Sequence, residues 1–336
     1  MSKDKPRFSI VTPAYNAERY IGKMIDSVQR QIFPDWELRV VDDGSSDSTR
    51  SIIEEAAALD SRIKPIFLAE NSGSCFLPRR LATESSRGDY VVNVDADDTI
   101  EPEYLMKLLK RIKETDAEIV YADMYHAHDG EPPFKVIPND ESYYTYEGDG
   151  ETLYGLTLDQ WDISGMCAMD RHLALTSLKS FDQEFGTGHN GSFDNENLTR
   201  HDLLHARKIA FCDAVYYYRQ VPDSVTHKIS PRKFDLLEAD MQLCNFVSRH
   251  FGPESDEYIL AQRQLFHHVI EFMRDLNRHS SLAASSRARN ITLKAFNSID
   301  FQRIHGYVSK RYWTLMQRGY RFTKFILAIY ERGKRG

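Results

Sequence analysis

Hydrophobic and polar positions repeat with two different periods over residues 1–125. Short apolar runs typical of buried strands occur in "FSIVTP", "ELRVVDD", "IKPIFLA", "YVVNVD" and "EIVYAD". Between these runs the apolar residues recur at helical spacing, as they do at Ile21, Met24, Ile25 and Val28. Strands that alternate with helices of this length indicate βαβ units and a mostly parallel sheet, so we expect an α/β fold.

Four helices are predicted between these strands. They cover residues 18–32, 46–59 and 76–87 and the stretch "EPEYLMKLLKRIKE". Ser46 or Asp47 offers an N-cap for the second helix. Pro102 lies in the first turn of the fourth helix, where proline is tolerated.

The rest of the chain has different patterns. Residues 126–160 are rich in Pro, Gly, Asp and Tyr and predict an irregular segment. From about Pro231 the apolar spacing is helical throughout. We therefore expect three parts, formed by residues 1–125, 126–230 and 231–336.

Composition indicates a soluble globular protein, because 41% of the 336 residues are hydrophobic and 28% are charged. No stretch approaches the roughly 20 apolar residues of a membrane span. The first ten residues lack the apolar segment of a signal peptide. The cysteines are scattered and form no CxxC pair, which argues against a zinc knuckle or a disulfide framework and favours a reducing, cytoplasmic setting.

The charge is unevenly distributed along the chain. From Pro231 onward there are 18 Lys and Arg against 10 Asp and Glu, whereas the preceding residues carry 25 against 40. The tail "SKRYWTLMQRGYRFTKFILAIYERGKRG" mixes cations with aromatic residues, as interfacial amphipathic helices do. We expect this tail either to contact an anionic membrane surface or to pack its aromatic residues on the preceding helices. No nucleic-acid-reading module accompanies it, so nucleic acid is not an expected partner.

Three carboxylates follow one predicted strand, in "VVNVDADDTI". Ligands of parallel sheets bind at the carboxyl ends of strands, which makes Asp95, Asp97 and Asp98 candidates for a site. A calcium loop of the EF-hand kind would need Gly at its sixth and Glu at its twelfth position. Counted from Asp95, these positions hold Ile100 and Met106, which excludes that class.

Two chemistries remain for the carboxylate cluster. "DADDT" matches the start of haloacid-dehalogenase-type phosphatases, in which Asp95 would be a covalent nucleophile and Asp97 an acid/base. That motif usually ends the first strand of its fold, whereas three strand–helix units come earlier here. The other chemistry is an Asp-x-Asp motif that holds a divalent cation against a nucleotide diphosphate, since Mg²⁺ and Mn²⁺ prefer carboxylate and phosphate oxygens.

The order of the surrounding motifs favours the second chemistry. "FSIVTPAYNAERYIGKMIDSVQRQ", "VVDDGSSDST", "NSG" and "RGDYVVNVDADD" follow one another. Together they resemble the family 2 glycosyltransferases, which have the GT-A fold, and the resemblance covers residues 7 to about 228. It implies a nucleotide-sugar-binding half at 1–125 and an acceptor-binding half at 126–230, before a helical region at 231–336.

The same resemblance implies an activity. The expected enzyme is inverting and depends on Mn²⁺ or Mg²⁺. It would move a hexosyl or N-acetylhexosaminyl group from a UDP-sugar to a saccharide, and the acceptor could be a lipid-linked glycan at the inner face of the cell membrane. A GDP-sugar donor stays open. A non-catalytic nucleotide-sugar-binding protein is a further alternative.

Donor-site roles follow from the resemblance. Residues expected to cradle the base and ribose are Pro13, Ala14 and Tyr15. Asp43 would accept the uracil N3–H, although "DGSSD" also fits an ordinary turn and helix cap.

The carboxylate cluster and the cations around it would bind the diphosphate and the metal. Asp95 and Ala96 would contact the nucleotide, and Asp97 would bind the metal with Asp95 and His227 as further ligands. A guanidinium should face the phosphates or the carboxylates, and the alignment leaves Arg79 and Arg80 equally placed for this role. Residues of a downstream loop expected at the diphosphate are Arg219 and Ser224.

The acceptor half should supply a base that deprotonates the attacking hydroxyl. "SFDNENLTRHDLLHARKIAF" resembles the family's base region but has Asn195–Glu196 where Glu-Asp is usual. Glu196 is the first candidate for the base and Asp194 the second, with a helix cap and an acidic first turn as the alternative. Residues that would line the sugar site are Trp161, Asp162 and Gly165, although a buried Trp161 fits as well.

Overall fold

The structure is a computed structural model that describes residues 5–128, 132–138, 141–158, 165–188, 190–191, 193–220 and 230–310, together with 314, 318–321, 323–324 and 327. The chain divides into two compact units. The first comprises Met1–Tyr154 and Trp161–Val221, and the second comprises Gly155–Gln160 and Pro222–Gly336.

One mixed sheet forms the centre of the first unit. Its strands among the described residues are Phe8–Ala14 (β1), Trp36–Asp42 (β2), Ile63–Phe67 (β3), Tyr90–Asn93 (β4), Thr99–Ile100 (β5), Ile119–Ala127 (β6), Phe134–Ile137 (β7), Glu147–Gly148 (β8), Cys167–Asp170 (β9) and Ile209–Arg219 (β10). They are ordered β3-β2-β1-β4-β9-β6-β10-β5, with β7 beside β6 and β8 beside β10. The first four strands of this order are parallel, whereas β9 is antiparallel to both of its neighbours.

Helices connect these strands and cover the sheet. In the first unit they are Ile21–Gln29 (α1), Thr49–Leu59 (α2), Phe76–Ser85 (α3), Tyr104–Thr115 (α4), Gly150–Tyr154 (α5), Arg171–Phe185 (α6) and Asp194–His205 (α7). Every residue of β1 is buried, as expected for a central strand covered on both faces. The predicted apolar face of the first helix is confirmed, because Ile21, Met24, Ile25 and Val28 are all buried.

Some predicted boundaries differ from the structure. The first helix ends at Gln29 rather than at residue 32, and Ile32 is 56% exposed. The reason is a long-range contact, because the Ile32 N–H donates to the Pro102 carbonyl at 3.0 Å instead of continuing the helix. In the second helix the Asp47 carboxylate accepts from the Thr49 N–H at 2.9 Å, so it satisfies one of the free amides at the start of α2.

The segment predicted to be irregular, residues 126–160, contains short regular elements. The strand β7 pairs with the extended end of β6, and β8 pairs with the start of β10. These elements are two to five residues long, which is too short for a hydrophobic period to show in the sequence.

The second unit is helical, as predicted for the chain from Pro231. Its helices are Asp235–His250 (α8), Asp256–Arg278 (α9), Ser280–Ala284 (α10), Ser286–Asn297 (α11) and Phe301–Ile304 (α12). The helix α9 packs against each of the others. A search of the described residues finds no helix with the length and apolar character needed to cross a membrane. The expected division of the first 230 residues into two functional halves stays a prediction.

The parallel strands place the first site residues together. Ala14 pairs with Asp42, and Val11 pairs with Asn93, so β1, β2 and β4 end at one edge of the sheet. Asp43 and Asp95 follow within two residues of these ends, at the edge where parallel sheets bind ligands.

The turn after β2 depends on Gly44, which has φ +69°. A Cβ at this position would lie 2.6 Å from the Glu70 carbonyl carbon. We predict that Gly44→Ala lowers the free energy of unfolding by about 3 kcal/mol or more, because positive φ and a backbone collision both oppose the side chain. Urea denaturation measures the change.

Gly73 provides the matched control, because its φ is +94° but a Cβ there would meet no atom within 4 Å. Gly73→Ala should therefore cost only the conformational term of about 1–2 kcal/mol. Equal losses in the two variants would contradict the collision at Gly44.

Candidate active site

A cavity of about 300 Å³ lies within the first unit, beside the carboxyl end of β4. Its wall brings together predicted residues from distant parts of the chain, namely Arg79, Arg80, Asp95, Gly165 and Glu196. The rest of the wall is mainly apolar and includes Met124, Met166, Met169 and Leu178. Charged groups in such a wall interact more strongly than they would in water.

The two candidate arginines have different partners. The Arg79 guanidinium donates to an Asp95 carboxylate oxygen, and only 13% of its side chain is exposed. Arg80 instead makes two hydrogen bonds to Asp182 on α6, at 2.6 and 2.7 Å, and a third to Glu84. The structure therefore directs Arg79 toward the carboxylate cluster, whereas Arg80 ties α3 to α6.

Asp97 is half-buried in the same turn as Asp95. Burial and the neighbouring Asp95 carboxylate raise the pKa of Asp97 to about 6, and Arg219 opposes this rise only in part. Arg219 reaches the same turn, because its Nε donates to the Asp97 carbonyl at 3.1 Å and its guanidinium lies 5.5 Å from the centre of the Tyr20 ring.

Asp98 faces the interior, and its hydrogen bonds hold the turn in place. It is 1% exposed and accepts hydrogen bonds from the Tyr216 hydroxyl at 2.6 Å and the Arg219 N–H at 2.7 Å. The same Tyr216 hydroxyl accepts from the Asp95 N–H at 3.0 Å. Burial and the charges of Asp95 and Asp97 raise the pKa of Asp98 well above its usual range.

Asp43 is held at the end of β2 by the following loop. It is 2% exposed and accepts from the Ser72 N–H at 3.0 Å, the Ser72 hydroxyl at 2.9 Å and the Asn71 amide at 3.1 Å. A carboxylate has about four acceptor positions, so the chain's own donors leave about one. Next to it Tyr15 is 50% exposed, and Pro13 and Ala14 form the buried end of β1.

The two candidate bases on α7 point to different surroundings. Asp194 is 2% exposed and accepts from the Gly191 N–H, so its carboxylate closes the loop before the helix. Glu196 is half-buried and lines the cavity, which Asp194 does not. Between them, Asn195 donates to the Cys75 Sγ at 3.0 Å. The geometry thus favours Glu196 as the group that can meet a substrate hydroxyl.

Several predicted residues lie outside the described residues: Trp161, Asp162, Ser224 and His227. Gly165 is described and lies in the cavity wall, where a Cβ would be 3.4 Å from the Thr199 hydroxyl. Ala96 is buried in the turn between Asp95 and Asp97.

Sequence reasoning missed Asp202, a carboxyl group in the same cavity wall. Glu196, Thr199 and Asp202 are spaced by three residues on α7, so all three fall on one face of the helix. This three-residue spacing is visible in the sequence and is the signal that could have identified Asp202.

The carboxylates fit a divalent cation in their chemistry. Among the described residues no group of three or more His, Cys, Asp and Glu is arranged to hold a metal. Mg²⁺ commonly uses one or two carboxylates and completes its shell with substrate phosphates, and Asp97 with Asp95 offers such a pair. Mutual repulsion within the pair, seen in the raised pKa of Asp97, is what a cation would relieve.

Known proteins resemble this chain in sequence and in fold. The model of glycosyl transferase family 2 matches residues 9–175. TuaG of Bacillus subtilis, a glycosyltransferase named for teichuronic acid biosynthesis, is 38% identical over 44% of this chain and 58% of its own length. The poly(ribitol-phosphate) beta-N-acetylglucosaminyltransferase TarS of Staphylococcus aureus is 28% identical over 73% of this chain and 44% of its own length. The chain thus spans about half the length of these two relatives.

Solved structures agree on the fold. The structure of S. aureus TarS residues 1–349 in complex with UDP-GlcNAc covers 98% of this chain and 91% of its own, with a TM-score of 0.66 at 20% identity. The expected α/β fold of the GT-A type, followed by a helical region, is thereby confirmed. With the family match over β1 to α6 and the strand-end carboxylates in place, the chain belongs to glycosyl transferase family 2.

Proposed function

We propose that this protein is an inverting, metal-dependent glycosyltransferase that moves a sugar from a UDP-sugar to a saccharide in polysaccharide biosynthesis. One observation carries the proposal: the Arg79–Asp95 pair and Glu196 line the same cavity. A group suited to a leaving diphosphate and a group suited to accept a proton thus border one sugar-sized space, which supports the proposal. The UDP-GlcNAc complex of TarS supports a UDP-sugar donor, and the names of the relatives support a cell-wall polysaccharide.

Transfer would proceed by a single displacement. The Glu196 carboxylate accepts the proton of the acceptor hydroxyl, whose oxygen forms a bond to the anomeric carbon as the bond to the UDP oxygen breaks. Attack from the face opposite UDP inverts the configuration. Arg79 and Arg219 offer positive charge to the departing diphosphate. Mn²⁺ or Mg²⁺, held by Asp97 with Asp95, would neutralise further charge on that leaving group.

The observed fold argues against the phosphatase alternative. Its nucleophile would end the first strand, whereas Asp95 follows β4 in a family 2 chain. A non-catalytic nucleotide-sugar-binding protein would share the donor site, and the activity of the Glu196 variant below distinguishes it.

The acceptor belongs to the proposal as well. We propose a saccharide or lipid-linked glycan that is met at the inner face of the cell membrane, with the basic tail on the anionic surface. Much of that tail lies outside the described residues, so the support comes from its sequence and from the polymers that the relatives' names give, teichuronic acid and poly(ribitol-phosphate).

We predict that Glu196→Gln lowers sugar transfer by about 100- to 10,000-fold, because the amide cannot accept the acceptor proton. Its affinity for UDP with Mn²⁺ should stay within about threefold of the wild type, since Glu196 meets the acceptor rather than the diphosphate. Transfer from radiolabelled UDP-sugars measures the first quantity and calorimetry the second.

Asp194→Asn is the matched control on the same helix. It removes one carboxylate charge from the loop before α7 and should reduce stability more than it reduces turnover of the folded enzyme. Undiminished transfer by Glu196→Gln would remove Glu196 as the base. An absence of transfer and of donor hydrolysis in the wild type, despite donor binding, would favour the binding protein.

The two neighbouring arginines give a second prediction. Arg79→Met should weaken UDP-sugar binding by about 10- to 100-fold, because a charged hydrogen-bond donor is lost at a partly buried site. Arg80→Met should leave this affinity unchanged and lower the unfolding free energy by about 1–3 kcal/mol, since it breaks the paired hydrogen bonds to Asp182. The reverse pattern would show that Arg80 is the phosphate-facing residue.

Metal dependence gives a third prediction. Asp97→Asn should raise the Mn²⁺ concentration needed for half-maximal stabilisation of the UDP complex by at least about tenfold, because a ligand charge is lost. Asp213→Asn, which changes the same charge at a side chain that is 75% exposed, is the control. Thermal unfolding across a Mn²⁺ titration measures both, and equal midpoints in the two variants would exclude Asp97 as a ligand.

A further inference from the structure

One wall of the cavity is a single face of α7. Glu196, Thr199 and Asp202 all line the cavity. Asp202 is six positions after Glu196, so it lies about 9 Å farther along the helix at 1.5 Å per residue. Glu196 is half-buried whereas Asp202 is 7% exposed, so Asp202 marks the deeper end of this wall.

Asp202 is a buried carboxyl without a cationic partner. It forms no ion pair with any residue in the described parts of the chain. Burial raises the pKa of Asp202 to about 7, and the neighbouring Ser177 hydroxyl lowers it only in part. The pKa of the Cys167 thiol on β9 is raised first by burial and second by the charge of Asp202. The Asp202 carboxyl therefore lies close to the sheet.

The surroundings of Asp202 in the cavity are apolar. Met124 on β6, Met169 on β9 and Leu178 on α6 contribute to the same wall, together with Met166. A polar group buried among such side chains is costly unless a hydrogen bond satisfies it. A carboxyl kept neutral in an apolar site can donate a hydrogen bond to a bound ligand.

Thr199 complements this group. Its hydroxyl hydrogen is used, because Oγ1 donates to the Asn195 carbonyl at 3.0 Å. The hydroxyl oxygen retains lone pairs that can accept a hydrogen bond. The cavity wall therefore offers a donor at Asp202, an acceptor at Thr199 and methionine side chains.

We propose that Asp202 and Thr199 bind the acetamido group of the sugar being transferred, so that the donor is a UDP-N-acetylhexosamine. The Asp202 carboxyl donates to the amide oxygen, the Thr199 hydroxyl accepts the amide N–H, and the methyl group packs on the methionines. A plain hexose has a hydroxyl in place of the acetamido group, so it lacks the methyl group that would pack on the methionines. This inference rests on the proposed function.

The occupant of the cavity is the donor sugar rather than the acceptor. A volume of about 300 Å³ is at the lower end of the range for ligand sites and suits one monosaccharide. The same wall holds Asp95 and Arg79 on the side of the leaving group. The sugar that reaches both this pair and Asp202 is the one attached to UDP.

Calorimetric affinities for UDP, UDP-GlcNAc, UDP-GalNAc, UDP-Glc and UDP-Gal, with Mn²⁺, test the proposal. The wild type should prefer an N-acetylhexosamine over the matching hexose by about 10- to 100-fold. Asp202→Leu should reduce this preference to below about threefold while leaving the affinity for UDP unchanged. Thr199→Val, which keeps the volume of the side chain, should reduce the preference by about three- to tenfold.

Two further variants separate recognition from folding. Asp202→Asn retains a hydrogen-bond donor and should keep most of the preference, and Ser177→Ala, behind Asp202, should keep all of it. The inference is overturned without any variant if the wild type binds UDP-Glc as tightly as UDP-GlcNAc and also UDP-Gal as tightly as UDP-GalNAc. It is equally overturned by an unchanged preference in folded Asp202→Leu or Thr199→Val. A wild type that binds neither UDP nor any of the sugars overturns the proposed function itself.

Discussion

The site depends on holding three carboxylates within four residues against their mutual repulsion. The surrounding chain neutralises them unequally. Arg79 pairs with Asp95, and the Tyr216 hydroxyl and the Arg219 N–H satisfy Asp98. At Asp97 burial and the Asp95 charge raise the pKa, and Arg219 opposes this rise only in part. The turn is thus held in place with one acid whose ionised form is incompletely stabilised, and under the proposed function a cation bound with the nucleotide would stabilise it.

The helix α7 presents the other carboxyl groups of the cavity through its geometry. Its first turn closes the preceding loop with Asp194 and presents Glu196 to the cavity, and the same face continues to Asp202. Two carboxyl groups on one helix thereby meet different environments. Glu196 is half-buried and, in the proposed function, is the group that accepts a proton. Asp202 is buried deeper and, in the proposed donor-sugar site, is a group that recognises the sugar.

Much of this could be predicted from the sequence, because the strand–helix alternation and the strand-end carboxylates are local patterns. The sequence could not decide which of Arg79 and Arg80 faces the carboxylates. That choice depends on where α3 begins, and that start is fixed by Asn190, which accepts from the Ser74 hydroxyl at 2.6 Å and the Leu77 N–H at 3.1 Å across more than 110 residues. Asp202 was missed because its spacing from Glu196 and Thr199 becomes informative only when that face of α7 is known to line the cavity.

The late position of Tyr216 in the chain limits when the turn that holds the carboxylates can form during synthesis. The Tyr216 hydroxyl joins the Asp95 N–H to Asp98, yet it belongs to β10, about 120 residues later in the chain. The turn that holds Asp95 and Asp98 therefore cannot form these two hydrogen bonds until β10 has been synthesised and has joined the sheet. The early strand–helix units consequently depend on a later strand to complete this turn, so the carboxylate cluster reaches its final geometry in a late folding step.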